Sequence, residues 1–329
     1  MTLLAPLLET FFTDRLRRQK SASPNTVAAY RDAFRLLLQF AQDRLSTTAS
    51  NLTLRDLDAP LIGAFLEHLE TSRRNGARTR NARLAALRSF FRFLAPREPA
   101  HAAVIQRVLA IPQKRCDRRV VNFLTRPEVD ALLAGPAPTS WMGRRDHLLL
   151  LLALETGLRV SELVHLRLGD VVLGASSYLR CHGKGRKERM TPLRRRTAAR
   201  LRWWLRERTA APSDPIFPAR HGGPLSRDAV ARLLTKYTLA ATATCPALKH
   251  KTVSPHVLRH TTAVNLLQAG VDRAVIALIL GHESVETTQM YLDADLATKE
   301  RALALTAPVG VPPGRFRPSD TLLAFLQAL

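Results

Sequence analysis

The spacing of apolar residues along positions 1–95 predicts four amphipathic helices. Leu4, Leu7, Leu8, Phe11 and Phe12 recur at helical intervals. A second helix opens at Ser23-Pro24, a capping side chain followed by a proline that the first turn tolerates. Its apolar stripe is Val27, Tyr30, Phe34, Leu37, Leu38 and Ala41. The third follows Asp58 and Pro60 and turns Ile62, Phe65, Leu66 and Leu69 inward; the fourth carries Leu84, Leu87, Phe91 and Leu94. A basic, proline-containing stretch, 96–122, reads as a connection, within which 104–109 has the spacing of a short helix.

A new unit starts at Thr125, which forms a capping box with Glu128 ahead of Val129, Leu132 and Leu133. The apolar run 148–154 belongs to a buried helix that stops at Gly157. Two short extended stretches, 177–182 and 188–193, flank Gly183-Lys184-Gly185-Arg186 and read as a β-hairpin. The chain is then helical to about 305. Within it, 266–280 reads as helix, turn at Gly270, helix, with Val275, Leu278 and Ile279 inward. A proline- and glycine-rich hinge, 308–318, precedes a last apolar helix, 321–329, which either folds back or docks on a neighbouring subunit. The expected fold is mainly α with a small β-sheet: a helical domain 1–95, a linker 96–122, a mixed domain 123–307, and a tail 308–329.

Composition narrows the partners. A chain of 329 residues exceeds what one core usually holds, and 46% hydrophobic residues exclude a disordered chain. Fifty Lys and Arg against 27 Asp and Glu leave a formal charge of +23, which repels itself unless a polyanion takes it up. Nucleic acid is the expected partner, although charge alone leaves ribosome binding, compaction and membrane adhesion open. Arg73, Arg74, Arg78, Arg80, Arg83, Arg88 and Arg92 lie on or before the fourth helix with almost no acid interleaved. We read them as phosphate contacts rather than a merely solvated face. Three scattered cysteines suggest neither a disulfide framework nor a zinc site, and a reducing cytosol fits. The N-terminus lacks a cationic leader and no apolar run is long enough to span a bilayer, so a soluble, cytoplasmic protein is expected.

Four stretches carry candidate chemistry. In Thr156-Gly157-Leu158-Arg159, the glycine stop puts Arg159 at the start of the next helix, where it can reach a cleft or simply pair with Glu162. Lys184 stands between two glycines at the hairpin tip; the spacing is not that of a nucleotide phosphate loop. Ser254-Pro255 begins a helix that places His256 near its anion-attracting N-terminus and Arg259 on the same face. His256 and His260 are four apart, yet no carboxylate supports a zinc site, and His260 reads as structural. The fourth stretch runs from Leu280 through Gly281 and His282 to Tyr291.

Together these stretches resemble the catalytic set of the tyrosine recombinase (phage integrase) family, above all Xer-type recombinases and related transposon and integron integrases. The phrases TGLRVSEL, GKGRKER, SPHVLRHT and LGHESVETTQMY stand in the family's order over roughly 124–305. In the first domain the resemblance is weaker and rests on the helix pattern and on SPNTVAAYRDAFRLLLQF. It implies a SAM-like core-binding domain and a catalytic domain that close as a C-shaped clamp on double-stranded DNA. It also implies inverted-repeat-type core sites, a homo- or hetero-tetramer with room for a partner recombinase, and neither metal nor cofactor. By the same resemblance Arg159 and Arg259 clamp the scissile phosphate and His282 hydrogen-bonds to it. Lys184 protonates the leaving 5′ oxygen, His256 handles the tyrosine proton, and Tyr291 is the nucleophile.

Leu292-Asp293 stand where Xer proteins usually carry Thr-His, the 240–251 loop is longer, and the tail is extended. These departures lean towards a mobile-element recombinase rather than dimer resolution. The rivals are a type IB topoisomerase, a non-catalytic DNA-binding accessory protein and a zinc-dependent nuclease.

Overall fold

The computed structural model describes residues 2–116, 121–183, 188–208 and 211–281. The chain divides into two compact units, Met1–Arg118 and Arg119–Leu329.

The first unit is all helical: α1 (Leu4–Thr10), α2 (Pro24–Leu45), α3 (Ala59–Thr71), α4 (Ala77–Leu94) and α5 (Ala102–Ala110). After α1 the backbone widens into a π-helical segment, Phe11–Gln19. With five residues closing each turn, Phe11 and Leu16 share a face, and both are buried. The starts of α2 and α3 follow their capping side chains: Ser23 accepts from the Thr26 N–H at 3.2 Å and Asp58 from the Leu61 N–H at 2.9 Å. Phe11 is the centre of the core, with ring centroids of Phe12, Tyr30, Phe34, Phe90 and Phe93 between 5.3 and 6.3 Å away.

The linker expected over 96–122 is corrected here. Helix α5 buries Ile105 and Val108 in the same core, so this stretch is an integral part of the first unit, which runs to Arg118. Leu109 and Ile111 pack against the same cluster.

The second unit contains α6 (Arg126–Ala134), α7 (Trp141–Thr156), α8 (Val160–His165), α9 (Arg195–Arg206), α10 (Arg227–Ala241), α11 (Pro255–Gln268) and α12 (Arg273–Leu280). Between α8 and α9 lies an antiparallel sheet of order β1-β2-β3, with β1 Val171–Val172, β2 Tyr178–His182 and β3 Glu188–Pro192. Cys181 pairs with Arg189 and His182 with Glu188, and Gly183 directly follows β2. Leu179 and Cys181 point into the core while Arg180 faces out. Burial pushes the Cys181 thiol up, which keeps it protonated.

Helix α7 crosses the middle of the unit and packs on α6, α9 and α11. The capping box at Thr125 forms as expected, its N–H donating to Glu128 at 2.7 Å. Asp146, buried within α7, accepts two hydrogen bonds from Arg145, at 2.8 and 2.7 Å, and one from the Tyr237 hydroxyl at 2.7 Å. A buried charge survives only when it is paired and bonded in this way.

The inward face expected for α12 was in the wrong phase. Ile276, Ala277 and Leu280 are buried, whereas Val275 is 44% and Leu278 75% exposed. Ile276 and Leu280 pack against Ala263, Val264 and Leu267 of α11, and that contact sets the rotation of the helix.

Candidate active site

Helix α7 ends at Gly157 in the left-handed conformation, φ +62°. A Cβ there would stand 2.4 Å from Cδ2 of Leu280, so the glycine allows both the turn and the close approach of the end of α12. Two residues later Arg159 caps α8 in extended backbone. Its own N–H donates to Glu162 Oε2 at 2.9 Å, its Nη1 to Glu162 Oε1 at 3.0 Å, and its Nη2 to the Gly281 carbonyl at 3.0 Å. The Arg159 side chain is 30% exposed, so the guanidinium is fixed yet open on one side.

Glu162 is the anchor. Its side chain is 4% exposed and it also accepts from Arg189 of β3, at 3.0 and 2.7 Å. Burial alone would raise its pKa; hydrogen bonds from Arg189 and from the Arg159 N–H, with the Arg189 charge, overcome burial and hold the carboxyl below its usual range. Burial would likewise lower Arg189, but its bonds to Glu162 raise it.

Helix α11 supplies the second half. Ser254 caps it, accepting from the Val257 N–H at 3.4 Å, and Pro255 occupies the first turn. His256 is exposed in that turn, and Arg259, one turn on, is buried. Arg259 Nη1 donates to the Gly157 carbonyl at 2.7 Å and Nη2 to the Leu280 carbonyl at 2.8 Å. The carbonyls ending α7 and α12 would otherwise lack intrahelical partners. Two arginines from separate helices thus meet at consecutive residues, Leu280 and Gly281. Each guanidinium has five N–H donors, more than these contacts use. A hollow of about 420 Å³ adjoins Arg159 and is lined also by His165, Arg180, His182 and Gly183.

His260 faces away from this role. Burial, then the nearby His256 and Arg259 charges, push it down to about 4, so it is neutral near pH 7. Its ring centroid is 6.4 Å from that of His256. Among the described residues no group of three or more His, Cys, Asp or Glu side chains is gathered as a metal site.

Of the six candidate catalytic residues, the structure brings Arg159 and Arg259 to this corner, and His256 is exposed one turn before Arg259 on α11. Lys184, His282 and Tyr291 lie outside the described residues, Lys184 directly after Gly183 and His282 directly after Gly281. Two residues of the site escaped the sequence reading. Glu162 was visible only as a partner for Arg159, and its i,i+3 spacing was the available signal. Arg189, 27 positions from Glu162, stood only as the last residue of GKGRKER, with nothing to show its pairing.

The arginine group of the first unit divides. Arg80 is buried and donates to the Pro112 carbonyl at 2.9 Å; Arg88 donates to the Ile111 carbonyl; Arg83 donates to the Ala29 carbonyl at 3.0 Å. Reading Arg80 and Arg88 as phosphate contacts is corrected: these guanidiniums pin the chain after α5 onto α4. Arg73, Arg74, Arg78 and Arg92 are exposed.

Comparison with known proteins identifies the family. Residues 122–297 match the phage integrase family, and residues 10–98 match the phage integrase N-terminal SAM-like domain. The chain is 55% identical over 326 residues to the integrase/recombinase y4rC of Sinorhizobium fredii, covering 99% of this chain and 98% of that one. It is 34% identical over 302 residues to the tyrosine recombinase XerC of Pelobacter propionicus, covering 89% and 93%. The fold is shared with the XerH site-specific recombinase in a post-cleavage complex with palindromic difH substrate (TM-score 0.70, 20% identity, 87% and 81% covered). It is shared also with the Tn1549 transposon integrase in complex with a circular intermediate DNA (TM-score 0.66, 16% identity, 89% and 98% covered). Matched along nearly its whole length by an integrase/recombinase relative and over 122–297 by the family itself, the protein belongs to the phage integrase family.

Proposed function

We propose that Tyr291 attacks the scissile phosphate of duplex DNA at the corner built by Arg159 and Arg259. The observation that carries this is the meeting of the two guanidiniums at Leu280 and Gly281, immediately before His282. Two fixed cations at a phosphate stabilise the charge that grows on its non-bridging oxygens as phosphorus becomes five-coordinate. The tyrosine oxygen forms a bond to phosphorus and its proton passes to His256. The bond from phosphorus to the 5′ oxygen breaks, and that oxygen takes a proton from Lys184. His282 adds a hydrogen bond to the same phosphate. The 3′-phosphotyrosine retains the phosphodiester's free energy, so a second 5′ hydroxyl reverses the step without ATP, and the roles assigned here include none for a metal.

Arg73, Arg74, Arg78 and Arg92 supply phosphate contacts in the first unit. The assembly is a tetramer on two inverted-repeat-type sites, of one chain or with a partner recombinase; 321–329, or else the segment after Tyr291, is the candidate for an element exchanged between neighbours, and both lie outside the described residues. Integration, excision or transposition of a mobile element fits better than dimer resolution, because the relative at 55% identity is named an integrase/recombinase while XerC stands at 34%. A cytoplasmic location accords with this work on DNA. Among the described residues no helix is long and apolar enough to cross a membrane.

The test uses duplexes nicked beside the cut position, drawn from fragments of the element ends and incubated in EDTA. A denaturation-resistant adduct that Tyr291→Phe abolishes is the expected result. Tight specific binding with no adduct on any fragment would instead point to an accessory DNA-binding protein or to a required partner subunit. Joining of two sites separates recombination from topoisomerase action, and loss of activity in chelator would point to a zinc nuclease.

A further inference from the structure

Arg189 belongs to β3, yet its guanidinium is not directed to the sheet. It holds both oxygens of Glu162 at 3.0 and 2.7 Å, and the same carboxylate holds Arg159 through its main-chain N–H and its Nη1. Arg189 also packs over Gly281: a Cβ at that position would stand 2.8 Å from its Nη1 and 2.9 Å from its Cζ. Gly281 has φ +66°, so a side chain there is strained by backbone conformation and would also have to displace the arginine. The Gly281 carbonyl is in turn the second support of Arg159. Arg189 therefore touches both things that aim Arg159, the carboxylate and the glycine whose carbonyl it uses.

We infer that Arg189 is a positioning residue for cleavage, setting the direction of the Arg159 guanidinium through Glu162 and Gly281. The inference rests on the proposed role of Arg159 at the scissile phosphate. Without Arg189, Glu162 loses two of its four hydrogen bonds and its only anchor outside Arg159 itself among the described contacts, so carboxylate and guanidinium can swing together. Arg159 then keeps its charge but loses its aim. A fixed dipole or charge stabilises a transition state because no reorganisation is needed when charge develops, and a swinging one forfeits that advantage. A structural ion pair alone would affect folding and binding without any dependence on the charge of the phosphate.

The test compares Arg189→Gln and Arg189→Lys with the wild-type full chain on two nicked duplexes. One carries the ordinary scissile phosphate, and the other a methylphosphonate in its place, taken as each diastereomer. The methyl group removes the negative charge that Arg159 is aimed at. On the ordinary substrate, Arg189→Gln should form adduct roughly 10- to 100-fold more slowly, the usual range for a residue that acts by orienting another. Duplex binding should be unchanged. On at least one methylphosphonate diastereomer the deficit should shrink to within about threefold, since less charge remains to be stabilised. Arg189→Lys keeps a cation beside Glu162 but cannot grip both oxygens in a planar fork, so it should show the same pattern with a smaller loss. Equal deficits on both substrates, or wild-type rates on the ordinary one, would overturn the inference. Absence of adduct with the wild-type chain would overturn the proposed function and this inference together.

Discussion

Both units use arginines in the same way, and only one of them builds a site. In the first, Arg80 and Arg88 of α4 reach the consecutive carbonyls of Pro112 and Ile111, just past the end of α5. In the second, Arg159 and Arg259 reach the consecutive carbonyls of Gly281 and Leu280, at the end of α12. Burial does not distinguish them, since Arg80 is 7% and Arg259 5% exposed. The difference is the open side. Arg159 stays partly exposed beside a hollow, with the exposed His256 one turn from Arg259, and a buried carboxylate holds its direction. Near Arg80 the nearest carboxylate, Glu70, is 3.9 Å away, and the Nε atoms of Arg80 and Arg88 are buried without a hydrogen-bond partner. Convergent arginines fasten two segments together; they become a phosphate site when one face of the charge remains accessible and its direction is fixed.

The largest effect that could break this comparison is on chemistry. Arg259→Ala or Arg159→Ala should slow adduct formation by about 10²–10³-fold, as removal of one preorganised donor does. The variants should keep duplex binding, checked by gel shift beside the cleavage assay. Next, Arg80→Met should destabilise the first unit by about 1–3 kcal/mol, because it leaves the Pro112 carbonyl unsatisfied where the chain packs on α4. All three tryptophans, Trp141, Trp203 and Trp204, belong to the catalytic unit. The loss should therefore appear in far-ultraviolet circular dichroism while tryptophan fluorescence keeps its unfolding midpoint. Should Arg80→Met instead slow cleavage without loss of stability, the division into fasteners and site residues would fail.

Smaller effects sharpen the same division. Arg78→Ala and Arg92→Ala, both at exposed positions, should each lower the slope of log binding constant against log salt by about 1. Unfolding should shift by no more than about 0.5 kcal/mol. The smallest effect concerns pH. His260, held at about 4 in the folded chain, and His147, lowered by burial, bind protons more readily when unfolded. Their contribution to stability is complete above about pH 6.5 and is lost as pH falls from there towards the folded values. Glu162 and Glu128 have lowered values and lose theirs only below the ordinary carboxylate range. Tryptophan fluorescence should thus show the catalytic unit's midpoint falling between pH 6.5 and 4.5, and His260→Gln should flatten that fall.

Much of this molecule is legible without coordinates because its signals are local. Ser23, Asp58, Thr125 and Ser254 each start a helix by bonds to residues three positions on, and Gly157 stops one through its own backbone conformation. The hairpin was readable from two extended stretches around glycines, and the catalytic motifs from residue types in a fixed order. What failed depended on distant partners. The rotation of α12 is set by α11, across the turn at Gly270, and the apolar residues Val275 and Leu278 gave no hint that they face outward. The membership of α5 in the first core depends on contacts with α3 and α4.

The sequence by itself determined where the capped helices begin, where α7 stops, the hairpin, the family and the candidate residue types of the site. Each of these follows from neighbours within about one turn, or from motif order along the chain. Only the tertiary structure decided which arginines are fasteners, that Glu162 is buried between two of them, and that Arg189 reaches it from β3. Those contacts join residues 27, 32 and 122 positions apart. Guanidiniums all carry the same charge in sequence, and only packing determines which of them keeps an open face.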